Sequence, residues 1–273
     1  MHGLAFVLRR GFVSAMRSVP ALGAAILMLG AFAASAAPRS PLDDPALAGS
    51  TRYERCLALA QARPRAALEA AGAWREGGVS AVHCVAVALV SIGRYSEAAL
   101  KLDGLARDPA IRDPGHRAEL FDQAGNAWLL AHKPGPAESS FSAALRLEPD
   151  NPDLLADRAR AKAMVQDWTG ADSDLSTALE RAPARPDLLV LRASARRALR
   201  RAKEALADIE AVLRLKPGDA EALVERGVLR FDAGDKAGAA ADWQQTITLA
   251  PNGDAAQAAR EHLAQLGISG TAK

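Results

Sequence analysis

Aromatic side chains are scarce in this chain. Phe, Trp and Tyr make up 4% of its 273 residues, while 49% of the residues are apolar. A core with so few rings must close on Ala and Leu, a material that helices accommodate best. Cysteine is rarer still, with two residues, which excludes a disulfide-dense scaffold and a closed thiolate zinc site, even though His83 adjoins Cys84. A dominant charge is missing as well. The net charge is +2, and once the first 36 residues are set aside 31 bases stand against 32 acids. That balance excludes bulk electrostatic binding of nucleic acid. No Gly-rich phosphate loop occurs, and His2, His83, His116, His132 and His262 are scattered with no Ser or carboxylate at a catalytic spacing. Neither enzymatic chemistry nor a cofactor is therefore expected. With 15 Pro and 21 Gly the chain is neither collagenous nor broadly disordered.

The amino terminus reads as an address. Arg9, Arg10 and Arg17 precede an uncharged stretch from Ser18 to Pro38, and Ala34-Ser35-Ala36 fits the small-residue rule for signal peptidase. Residues 1–36 are expected to be a signal peptide cleaved after Ala36, with 37–50 a flexible linker and the mature protein periplasmic or secreted, without a membrane span. A retained anchor is the competing reading, because roughly 20 apolar residues can cross a bilayer. Arg9-Arg10-Gly11-Phe12-Val13 also fits a twin-arginine route, although Leu8 stands where Ser or Thr is usual; the general secretory route is preferred because no cofactor motif demands export of a folded protein. In an oxidising compartment Cys56 and Cys84 have two readings, one disulfide or two thiols buried between Ala-rich helices.

From Ala118 the chain repeats every 34 residues. Four units follow, 118–151, 152–185, 186–219 and 220–253. Pro149, Pro183, Pro217 and Pro251 stand at position 32 of each. Small residues Ala137, Ala171, Ala205 and Ala239 hold position 20, and bulky Phe141, Leu175, Ile209 and Trp243 hold position 24. Nearer the front, apolar Phe121, Leu155, Leu189 and Leu223 at position 4 are followed at position 8 by Gly125, Ala159, Ala193 and Gly227. Positions 4, 8 and 11 share one helix face, as do 20, 24 and 27, so each unit is two helices. Small residues at 8 and 20 let them approach, and the residue at 24 fills the space beside them. Proline closes the unit, and Asn151-Pro152-Asp153 marks a helix start. One hairpin cannot bury both of its faces, so the units must stack.

These recurring positions resemble the tetratricopeptide repeat family. A looser unit precedes the regular ones: Val82, Ala86 and Leu89 lead to Gly93-Arg94-Tyr95-Ser96-Glu97-Ala98, then Leu102, Leu105 and the displaced Pro109. Residues 113 to 117 are expected to be a loop. Further upstream, Cys56 to Ala62 and Arg65 to Trp74, split by Pro64, look like a shortened hairpin, so 51–117 is expected to be a degenerate repeat region. Residues 254–267 are expected to cap the last repeat, and 268–273 to form a tail. The resemblance implies an all-α fold, a right-handed superhelical solenoid of antiparallel helix hairpins with a C-terminal capping helix.

It also implies a groove lined by first helices, with positions 2, 5, 9, 12 and 13 facing a bound peptide. Carried onto this chain, the groove candidates are Asp122, Asn126, Leu129, Arg160, Met164, Val190, Ser194, Arg197, Val224, Val228 and Phe231. The acids at position 2, Glu119, Asp153, Asp187 and Glu221, are better explained by the helix dipole. Asn126 matches the family's carboxylate clamp, but Asp122 replaces its Lys. Arg158, Arg192 and Arg226 hold position 7, with Lys162, Arg196 and Arg230 at position 11. A basic ladder for an acidic partner is one reading. The other pairs the position-7 Arg with Asp174, Asp208 and Asp242 at position 23; where Ala124 holds position 7, Ser140 holds position 23, so both members are absent together. The expected function is an exported scaffold or adaptor binding a protein or peptide partner, without catalysis. The alternatives are a self-associating structural solenoid of the envelope and a binder or enzyme of cell-wall glycan.

Overall fold

The computed structural model describes residues 51–267. The expected signal peptide, linker and tail lie outside them. Among the described residues are thirteen α-helices and no strand. The described residues divide into two compact units at Val165/Gln166, and the division falls inside the repeat 152–185.

The first unit contains α1 (Thr51–Ala62), α2 (Pro64–Gly72), α3 (Gly78–Ser91), α4 (Tyr95–Ala106), α5 (Pro114–Leu130), α6 (Pro134–Leu147) and α7 (Pro152–Met164). Consecutive helices pack on one another, and α1 also meets α3, as α5 meets α7. Helix stacking of this kind gives each apolar stripe a partner on both sides. The residues expected to loop before Ala118 instead begin α5. Asp113 caps it by accepting from the His116 amide at 2.9 Å, and Pro114 occupies the first turn, where its missing N–H costs nothing. In the shortened hairpin α1 starts five residues before Cys56, and α2 runs from Pro64 itself, ending at Gly72 rather than Trp74. Proline here starts a helix for the same reason.

The second unit contains α8 (Trp168–Arg181), α9 (Pro186–Ala198), α10 (Ala202–Leu215), α11 (Ala220–Asp232), α12 (Lys236–Leu249) and α13 (Asp254–Gln265). Helix α13 lies against both α11 and α12. Its Ala256, Ala259 and Leu263 are buried with Val228, Ala239, Trp243 and Ile247, closing the apolar face of the last hairpin.

Two local devices repeat at 34-residue spacing. Glycine stands at position 8 where position 24 is aromatic. A Cβ on Gly125 would come within 2.5 Å of the Phe141 ring, and one on Gly227 within 2.3 Å of Trp243 Nε1. Ile209 leaves room for Ala193 in the same relation. The turn between the two helices enters the left-handed region at position 15: His132, Gln166, Arg200 and Gly234 have φ of 56°, 64°, 62° and 88°. Three of these four are not glycine, so local conformation is overridden by the packing of the hairpin on either side.

Candidate binding faces on the first helices

In the first unit, polar side chains from four first helices meet in two linked groups. Tyr53 on α1 and His83 on α3 are buried, and the Tyr53 hydroxyl lies 2.5 Å from His83 Nδ1. His83 Nε2 is 3.0 Å from Gln123 Oε1 on α5. A carbonyl oxygen only accepts, so Nε2 carries the proton, Nδ1 accepts, and the tyrosine donates. Gln123 in turn donates to Glu119 Oε1 at 3.5 Å. Burial lowers the His83 pKa, and burial reinforced by Glu119 raises that of Tyr53, so both rings are neutral in this chain.

The second group contains three expected groove residues. Asn126 Nδ2 donates to Asp122 Oδ1 at 3.1 Å and to Asp157 Oδ2 on α7 at 3.4 Å. Arg160 pairs with Asp157. Burial first, then the neighbouring Asp157 and Glu119, push the Asp122 carboxyl well above the usual carboxylate range, with Arg160 opposing. Asp122 therefore lies buried beside a second carboxylate, which disfavours its charged form.

The second unit presents a different face. Val190 and Ser194 on α9 and Val224 and Phe231 on α11 are half-buried, and Val224 and Phe231 also pack on the terminal core. The Phe231 and Trp243 ring centres are 6.1 Å apart. Met164, in the first unit, is likewise half-buried.

Three groove candidates are placed otherwise than expected. Leu129, 4% exposed, is a core residue, as an aliphatic side chain with packing partners on both sides becomes. Val228 belongs to the buried cluster under α13. Arg197 is buried, and its Nε lies 2.8 Å from Glu225 Oε1 on α11. Burial raises the Glu225 pKa and Arg197 holds it back. A guanidinium in that setting is a structural partner before it is a ligand contact.

The residues missed by sequence reasoning follow a rule visible in the repeat. Gln123, Asp157 and Glu225 all stand at position 6, and each reaches back to the preceding first helix, to His83, Asn126 and Arg197 respectively. Leu191 holds position 6 in the remaining unit. A polar residue recurring beside an apolar stripe was the available signal.

The position-7 arginines do not form an open ladder in the second unit. Arg192 donates through Nε and Nη2 to the two oxygens of Asp208, at 3.1 and 2.7 Å, and Arg226 does the same to Asp242 at 3.0 and 2.7 Å. Each pair lies within one hairpin. The position-11 residues join them, since Arg196 and Arg230 both reach the same carboxylates at 2.8 Å. Arg196 also donates to Asp172 at 2.9 Å, a carboxylate that Arg201 shares. Arg158 lies in the first unit, where its Nη1 donates to Ser142 Oγ at 3.4 Å, and Asp174 lies in the second, so their pairing stays an expectation. In the repeat lacking both members, Asp103 on α4 takes over. It accepts from Trp128 Nε1 at position 11 and from Ser140 Oγ at position 23, each at 2.9 Å.

Cys56 and Cys84 form a disulfide between α1 and α3, with Cα atoms 6.0 Å apart. No described helix is long and apolar enough to cross a membrane. Among the described residues, no three of His, Cys, Asp and Glu gather as a metal site requires.

Within each unit, antiparallel helix hairpins of about 34 residues packed on one another define a helical-repeat fold of the solenoid class. Residues 191–264 match a family model described as Tetratricopeptide repeat. Among solved structures, the MamA fragment from Desulfovibrio magneticus RS-1 shares 18% identity, with 64% of this chain and 97% of that one covered and a TM-score of 0.58. YrrB, described as a TPR protein with an unusual peptide-binding site, shares 20% identity over 73% of this chain and 98% of its own, with a TM-score of 0.54. Another MamA structure shares 14% identity over 60% and 94%, with a TM-score of 0.55. Comparison with curated proteins finds no match. The family-model match spans most of the last two 34-residue repeats and α13, so this part of the chain is of the tetratricopeptide repeat kind.

Proposed function

We propose that the protein is an exported adaptor that binds a protein or peptide on the faces presented by its first helices and performs no chemistry itself. The observation that carries this reading is the convergence of Asp122, Asn126, Asp157 and Arg160 from α5 and α7 on one partly exposed face. Half-buried polar groups held in place by one another offer a partner a preorganised set of donors and acceptors. Likeness to a repeat protein described by its peptide-binding site supports the same reading. Export is supported by the leader-like first 36 residues and by the Cys56–Cys84 bridge, since disulfides persist in oxidising compartments.

A photoreactive amino acid placed at Met164 or Val190 should cross-link a partner in the cell envelope, and the same group at Ser139 or Ser173, on second helices, should not. Partner adducts confined to the second-helix positions would overturn the proposal, and adducts between copies of this chain would favour the self-associating solenoid. Amino-terminal sequencing of exported material should begin at Ala37; recovery of residues 1–36 in a membrane fraction would favour the anchor.

A further inference from the structure

Position 4 is a core position in every regular repeat. Phe121, Leu155, Leu189 and Leu223 are 6%, 4%, 6% and 1% exposed, whereas Val82, its counterpart in the looser repeat, is 38% exposed. Each buried one sits on a first helix packed against a preceding second helix of 12 to 14 residues. The second helix before Val82 is α2, and it has 9 residues. The array is thus one helix segment short at this point. Nearby, Leu100 is 63% exposed at position 22, where the regular repeats carry Ser139, Ser173, Ala207 and Ala241.

The result is an open groove of about 810 Å³ beside the start of α3 and the C-terminal half of α4, walled by Val79, Val82, Leu100 and Leu105. Gly104 also lines it, and a Cβ there would meet nothing within 4 Å, so a partner backbone can approach closely. Its charged residues are Glu76, Asp108 and Lys101. Two acids against one base leave the rim acidic.

We propose that this groove receives a short amphipathic helix of another protein, aliphatic on the face it buries and basic along its edges, laid in continuation of α2. The packing of α2 on α3 is the interface it would extend, with the same geometry that buries position 4 elsewhere in the chain. An amphipathic helix in an apolar groove is stabilised by the area it removes from water, and the acidic rim selects its flanking charge. The site is separate from the first-helix faces and does not depend on them.

The probe is a fluorescent peptide with the sequence of residues 202–215, the second helix that precedes Leu223, carrying Glu204→Lys and Glu210→Lys, alongside the unaltered sequence. Titrated with the full oxidised chain, the lysine peptide should bind about tenfold more tightly than the unaltered one. Leu100→Asp should weaken it by at least about tenfold, and so should Gly104→Trp, which fills the groove. Both positions are exposed, and an unchanged melting temperature verifies each variant; where one melts early, the other decides. Absence of saturable binding up to millimolar peptide, binding indifferent to both variants, or preference for the unaltered peptide would overturn the proposal. So would a concentration-dependent dimer that Leu100→Asp dissociates, because the occupant would then be a second copy.

Discussion

The two units solve the same packing problem with different polar chemistry. In the second, each hairpin carries its own neutralised core: Asp208 and Asp242, 3% and 2% exposed, each hold two arginines of the helix they face. In the first, one carboxylate, Asp103, serves a tryptophan and a serine, and other polar groups gather on the first-helix face, where burial beside Asp157 raises the pKa of Asp122. The N-terminal hairpins add a covalent link between α1 and α3. A repeat can therefore keep its apolar register while its charged positions are reassigned, either to hold the hairpin together or to face outward. The second unit is built for internal satisfaction and the first leaves polar groups in reach of a partner.

The sharpest way to break that contrast is to remove the internal charges of the second unit. Asp208→Ala takes the carboxylate from Arg192, leaves Arg196 with Asp172 alone, and should cost roughly 3–5 kcal/mol in denaturant unfolding. Arg197→Ala, expected from the groove pattern to affect binding alone, should instead destabilise the second unit because Glu225 stays buried. The double change Arg197→Leu with Glu225→Leu should recover most of that loss. If Arg197→Ala melts like the parent, the buried pair is not holding α9 to α11.

Next comes the first unit's covalent link. Replacing Cys56 and Cys84 by Ser should lower its stability by about 2–4 kcal/mol and leave hydrogen exchange in α11 and α12 unchanged. Two free thiols titrated on unreduced mature protein would remove the basis of this expectation.

A matched pair of glycine changes compares the units directly. Gly125→Ala and Gly227→Ala each drive a methyl into an aromatic ring and should destabilise by about 1–3 kcal/mol. Phe141→Leu should relieve the first, and Trp243→Leu the second, since Ala193 lies opposite Ile209 without difficulty. Failure of the rescue would place the cost in the helix backbone rather than at the ring.

The smallest effect is electrostatic and confined to the first unit. Asp122 has its folded pKa raised, so the folded state holds the proton more tightly than the unfolded chain. Stability from that proton is complete below the ordinary carboxylate pKa and is lost as pH rises from there through the folded value. Asp122→Asn keeps a neutral side chain at all pH and should flatten that part of the profile, melting higher than the parent at neutral pH. The same profile recorded for Asp208→Asn should not show the gain, because Asp208 is held between two arginines.

The 34-residue spacing of Pro, Ala and bulky residues contained most of the fold, because sterics at positions 8, 20 and 24 act through residue size, which a sequence displays. The pairing of Arg192 and Arg226 with position 23 was legible for a related reason: the first regular unit lacks both members. Boundaries were less so. Pro114 could end a loop or open a helix, and the decision rests on Asp113 capping the first turn. The groove positions carried from the resemblance were the least legible, since Leu129 and Arg197 occupy the same position and are both buried, one by apolar packing and the other by Glu225. Position 6 carried the missing information, but a polar residue next to a packed stripe declares its partner only when the neighbouring helix is in place.

The central claim is that the first-helix faces of α5 and α7, and not the second helices α6 and α10, take the adaptor's partner. Amide hydrogen exchange of the mature, oxidised protein with and without the partner recovered by cross-linking measures this directly. Added protection is expected in α5 and α7, around Asp122, Asn126 and Arg160, with α6 and α10 unchanged. Protection confined to α6 and α10, with α5 and α7 exchanging as in the free protein, would contradict it.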